Sequence, residues 1–180
     1  RVVDSLYVRA KADRNFQEIT KALLYQSKFS LILNENAELE VVRKWKKEIS
    51  TAQPPLQNIL ESMLATIYWD YFQENRYNYY QRTSVNNGPL SDDFRTWDAK
   101  ALLNQIHVHF QNSLRNLGEL QHVKLDGLSK LIIEAEYAQQ YRPYLYDLLV
   151  HNAIQFYSTD EAEYGAKAKK FPFNAKDFES

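Results

Sequence analysis

Two histidines, His107 and His109, stand two residues apart in a run that reads as helix. That spacing sets them about 200° apart around the axis, so one metal cannot take both from a single face. A helical zinc pair needs i, i+3 or i+4, and these two read as ordinary surface or core histidines. Asp147 and His151 do stand at i, i+4, where a carboxylate can orient an imidazole as a general base. No serine nucleophile lies close by in sequence, and a simple intrahelical pair is the plainer reading. Glu134 and Glu136 flank Ala135 and point apart, whereas a two-carboxylate hydrolase needs both acids facing one cleft. There is no glycine-rich phosphate loop, and the basic run Ala166-Lys167-Ala168-Lys169-Lys170 reads as a solvated tail. With no catalytic constellation, the expectation is a non-enzymatic chain with no metal and no cofactor.

The densest chemistry lies elsewhere, between Leu56 and Thr83. Its first half is a helical stripe of Leu56, Ile59, Leu60, Met63, Leu64, Ile67 and Tyr71. Its second half carries seven aromatic rings (Tyr68, Trp69, Tyr71, Phe72, Tyr77, Tyr79, Tyr80) with Arg76, Arg82 and Thr83. A surface helix has no need of that composition. One reading is a polar seam buried between packed helices, because an arginine there can bond helix-end carbonyls or pair with Asp. The other is a stacking platform of Tyr68, Trp69, Tyr77, Tyr79 and Tyr80 for a sugar or base.

Bulk composition narrows the partners. A net charge of −1, from 22 basic and 23 acidic residues, disfavours a general nucleic-acid binder. With 44% hydrophobic and 25% charged residues, the chain belongs to the folded class. Its 180 residues suffice for one domain with a real core. Only 4 glycines and 5 prolines argue against an all-β sandwich. The absence of cysteine removes disulfides, thiolate zinc sites and cysteine nucleophiles, and leaves the compartment open. No apolar run reaches the roughly 18 residues of a membrane span. The chain begins Arg1-Val2-Val3-Asp4 and reads as a piece of something longer, any targeting segment removed.

The elements that must position these residues are helical. Val3, Leu6, Tyr7 and Ala10 mark a first short helix, and Phe16, Ile19, Ala22 and Leu23 a second running toward Phe29. Leu31-Ile32-Leu33 follows as a short apolar run, with Asn34-Glu35-Asn36 offering a cap. Leu39, Val42, Trp45 and Ile49 carry a third helix, stopped by Gln53-Pro54-Pro55. After the Leu56 helix, Ser84 to Asp92 reads as a loop around Asn86-Asn87-Gly88-Pro89. Thr96 is the expected cap of a helix striped by Ala99, Leu102, Leu103, Ile106, Phe110, Ser113, Leu114 and Leu117, closed by a left-handed Gly118. Asp126-Gly127 opens a helix with Leu128, Leu131, Ile132 and Ala135 on one side. Arg142-Pro143 starts the last one, with Leu145, Leu148, Leu149, Asn152, Ala153 and Phe156 inward. No segment alternates with period two. The expectation is an all-α domain over 1–160, with roughly seven helices in antiparallel hairpins, tetratricopeptide-like or an irregular bundle. Residues 161–180 read as a tail or linker toward a downstream region.

Three pieces in order carry a family resemblance. They are Asn75-Arg76 through Gln81-Arg82-Thr83, then Phe94-Arg95-Thr96-Trp97-Asp98, then Arg142-Pro143-Tyr144-Leu145-Tyr146-Asp147-Leu148-Leu149. With the early run Phe16 to Leu23, they resemble the helical N-terminal region of large bacterial alpha-2-macroglobulin-like proteins, over about residues 5–158. One departure is Tyr144, where that pattern expects threonine. The resemblance implies a non-catalytic spacer or docking module of a cell-envelope parent that traps proteases through a bait segment. It also implies a periplasmic, outer-membrane-anchored or secreted location. Its partners would be downstream domains of the same chain and proteases met through the parent, with no nucleic acid and no membrane span here. The family's thioester needs a cysteine, which this chain lacks. On this reading Arg76, Arg82, Thr83, Trp97, Asp98, Arg142 and Asp147 form one inter-helix seam. The alternative is a helical glycan-capture module using the ring platform.

Overall fold

A computed structural model describes residues 2–33, 37–81, 91–125 and 143–162. Among them are eight α-helices and no strand: α1 (Val2–Ala12), α2 (Phe16–Leu33), α3 (Ala37–Ile49), α4 (Leu56–Glu74), α5 (Arg76–Gln81), α6 (Ala99–Ser113), α7 (Leu117–Leu120) and α8 (Leu145–Tyr157). The fold is all-α. The helix expected from Asp126, with Glu134, Glu136, Arg142 and the Lys167–Lys170 run, lies outside the described residues, as do Arg82, Thr83 and the Asn86–Pro89 turn.

α4 is the hub. It packs on α2, α3, α5, α6 and α8, which explains a weak apolar stripe on a helix buried nearly all round in its first half. Asn58 bonds the Ser113 carbonyl, Glu61 meets His109, and Tyr68 meets Trp97, so α4 and α6 run antiparallel. Asn152 reaches Ser62 and Phe156 reaches Trp69, so α8 runs parallel to α4. α1 and α2 form a hairpin whose turn needs no glycine. Arg14 takes the left-handed conformation (φ 52°), and the Asn15 and Arg14 N–H groups return to the Ala10 and Lys11 carbonyls. The Asn15 side chain then accepts the Glu18 N–H at 3.2 Å and starts α2.

Several sequence expectations are corrected here. Leu6 is 55% exposed, and α1 meets the core through Tyr7 and Ala10. Leu31-Ile32-Leu33 is no separate run but the last turn of α2, which continues past Phe29. Asp98, not Thr96, caps α6: its carboxylate accepts the Ala101 N–H at 2.7 Å. α6 stops at Ser113 rather than reaching Leu117, because the buried Asn58 amide donates to the Ser113 and Arg115 carbonyls at 3.0 and 2.9 Å. The left-handed residue is then Asn116 (φ 64°), and Gly118 sits inside α7. At α8, Tyr144 needs no capping hydroxyl, since its backbone N–H donates to Asp147 Oδ2 at 3.3 Å. Backbone bonds Leu145 N–H to Val123 and Leu125 N–H to Pro143 fasten that helix start to the segment after α7. Packing also continues past residue 160, where Glu161 and Ala162 are buried.

Candidate functional site

The Leu56–Thr83 region splits into two environments. On the α6 side, α4 supplies Tyr68, fully buried, whose ring meets Phe94 at 5.1 Å, Trp97 at 5.6 Å and His109 at 5.7 Å between centroids. Trp97 is held by its indole N–H, which donates to the Ser91 carbonyl at 2.7 Å. Lys46 lies 5.3 Å from the Trp97 ring centre, a cation–π placement, and its burial pushes the ammonium pKa down. Burial pushes the Tyr68 hydroxyl pKa well up, and that oxygen has no hydrogen-bond partner. This layer is core.

The buried charges of the fold centre on three glutamates that sequence reading passed over. Glu61 accepts from His109 Nδ1 at 2.5 Å and from Asn112 at 3.3 Å. Glu48 is paired with Lys11 at 2.9 Å and takes the Tyr7 hydroxyl. Glu161 takes Arg76 and the Tyr80 hydroxyl. Each carboxylate has the partners a buried charge requires. The legible signal was a Glu directly beside an apolar stripe residue: Glu48 before Ile49, Glu61 after Leu60. Of the expected seam, the four described residues do not come together. Arg76 is a half-exposed partner of Glu161, Trp97 belongs to the aromatic layer, Asp98 is the α6 cap, and Asp147 serves the far end at the start of α8.

The five-ring platform is not assembled either. Tyr68 and Tyr79 are buried, and Trp69 is half-buried, stacked on Phe72 with Phe156 edge-on. Tyr77 and Tyr80 are exposed, Tyr80 lying beside Arg76. Local propensity placed these rings on one helix, whereas the break at Asn75 and burial against α6 and α8 send them in different directions.

The histidines take separate partners: His107 Nδ1 meets the Tyr157 hydroxyl at 2.8 Å, and His151 meets Gln155 at 3.0 Å. The Glu61–His109 pair has the form of an oriented base, yet His109 Nε2 is sealed from solvent and unpartnered. A base must reach the proton it takes, and this nitrogen faces no open space. Among the described residues, no cluster of three or more acidic, histidine or cysteine side chains could hold a metal.

The opposite side of α4 is open. A groove of about 760 Å³ runs between α2, α3, α4 and α8. The exposed Leu31 and Ile32 and the partly exposed Leu24, Met63, Ile67 and Trp69 line it, over the buried Trp45, Phe94 and Phe110. Glu38, Asp70 and Glu74 stand on its rim with Lys28. Partial burial, then the neighbouring Glu74, pushes the Asp70 carboxyl pKa up. Sequence reading missed this site because a groove is made by helices that do not close, and periodicity records only the faces that do.

Among the described residues, fold and groove together define an all-α architecture with an open apolar face. No protein-family model, curated protein or solved structure matches the chain. Among the described residues, no helix is long and apolar enough to cross a membrane.

Proposed function

We propose that this chain is a non-catalytic helical docking module, and that the groove on α4 is its working surface. The observation that carries this reading is the groove itself, apolar in floor and walls, with Leu31 and Ile32 exposed at its lip by 51% and 69%. Contiguous exposed apolar surface of this kind marks interaction sites. The motif series from Asn75-Arg76 to Leu149 supports placing the module in an alpha-2-macroglobulin-like cell-envelope parent that traps proteases. On that reading it acts as spacer or dock for downstream domains, in the periplasm, on the outer membrane or outside the cell. The glycan-capture alternative draws less support, because two of its five rings are buried.

Hydrogen exchange on the full-length gene product and on this 180-residue chain tests the docking role. Slower exchange of residues 24–32 and 63–74 in the full-length product, with α6 unchanged, is the expected result. Equal exchange in both overturns it. A reading frame without β-rich domains after Ser180 overturns the parentage and leaves the docking role to be judged separately.

A further inference from the structure

We infer that the groove takes a cationic amphipathic helix from the downstream part of the same parent. The inference rests on the docking reading above and goes on to name the occupant.

Its length comes from α4. The lining residues Met63 and Glu74 are eleven positions apart, about 17 Å or three helical turns. Its chemistry comes from two facts. The groove is apolar, with Leu24, Met63, Ile67 and Trp69 partly exposed to side chains at i, i+3 or i+4 and i+7. Among the described lining residues the rim is acidic, with Glu38, Asp70 and Glu74 against Lys28; Arg95 acts on Glu38 from outside the lining, and none of the three carboxylates holds an ion pair with a described residue. Elsewhere the molecule supplies its buried carboxylates with Lys11, His109 or Arg76. At the groove it places Asp70 and Glu74 at i, i+4 on one helix, a like-charge spacing that costs helix stability. A partner bringing lysine or arginine to the rim relieves that repulsion.

Competing occupants fit less well. No strand is present among the described residues, so an extended peptide finds no sheet edge to join. Nucleic acid and anionic lipid meet repulsion from the rim. A small apolar molecule would fill the floor and leave the lip at Leu31 and Ile32 uncovered.

The test uses three fluorescent peptides of about fourteen residues, roughly four turns. One has leucine at i, i+3, i+4 and i+7 with lysine elsewhere. The second replaces lysine by glutamate, and the third scrambles the lysine peptide. Fluorescence anisotropy is read against the 180-residue chain and its variants, each checked by circular dichroism. The patterned lysine peptide is expected to bind at least tenfold more tightly than the other two. Asp70→Lys with Glu74→Lys, both exposed, is expected to invert the charge preference. Ile67→Asp is expected to weaken binding at least tenfold. Equal binding of the scrambled lysine peptide overturns the inference as general charge attraction. Equal binding of the glutamate peptide overturns the cationic occupant and leaves the docking role standing. No binding by the folded chain overturns the helical occupant, while the hydrogen-exchange comparison judges the docking role independently.

Discussion

α4 shows two interfaces of opposite design. Toward α6, every large side chain is covered. Tyr68, Phe94, Trp97 and Phe110 are buried, the helices run antiparallel, and Glu61 is bonded by His109 and Asn112. Toward α2 and the start of α3, apolar side chains line open space, and the rim carboxylates hold no ion pair with a described residue. Composition does not separate the two faces, since both are rich in rings and aliphatics. What separates them is whether the carboxylates find partners among the described residues. A face whose charges are paired internally is finished as core; a face whose charges are left over is open to something else.

The sharpest way to break this contrast is to truncate one large apolar side chain on each side. Tyr68→Ala should cost about 3–5 kcal/mol, the range for aromatic truncation in a closed core. Ile32→Ala, at the groove lip, should stay within about 0.5 kcal/mol, as surface changes do. Urea midpoints at constant slope read both. Comparable losses would mean that the groove wall is core after all. Next in size is the charge pair. His109→Ala removes the closer partner of the buried Glu61 carboxylate, leaving only the longer Asn112 contact. The loss should be about 2–3 kcal/mol, the scale for a hydrogen bond to a charged group. The double variant with Glu61→Gln should recover part of it, because the stranded charge is gone.

A smaller and opposite effect is expected at the Tyr68 hydroxyl, which is buried without a partner. Tyr68→Phe keeps the ring and should raise stability by about 1 kcal/mol, since it removes the penalty of an unsatisfied polar group. A loss instead would mean that the oxygen is bonded to a trapped water, which a polar cavity of sufficient room allows.

How much of this was legible in the sequence differs by region. The stripes on α3, α4 and α8 are local periodicities, and Trp45, Leu60, Leu148 and Phe156 are buried where the spacing puts them. The α6 terminus was not legible, because Asn58 ends that helix from 55 residues away. Asp98 was singled out, but for a long-range seam rather than for the cap it makes three residues on. The Glu61–His109 pair, 48 residues apart, leaves no periodic trace at all. Nor does the groove, whose openness depends on how helices diverge.

The smallest effect bears on the open side. Asp70 has its carboxyl pKa raised above the ordinary 3.8, first by partial burial against the groove wall and then by Glu74. A raised pKa means that the folded chain holds the proton more tightly than the unfolded chain does. Ionisation of Asp70 therefore works against the fold. The penalty is absent below the unfolded value, grows as pH rises between the two values, and is complete above the folded one. Asp70→Asn should then stabilise the chain at neutral pH by a few tenths of a kcal/mol, the scale of an i, i+4 like-charge pair. The gain should shrink to nothing as pH falls below 3.8. Thermal melts of both proteins at pH 7 and pH 3.5 measure it. A gain that persists at acid pH would trace to helix propensity rather than charge, and would remove Asp70 from the unpaired rim that distinguishes the groove from the closed face.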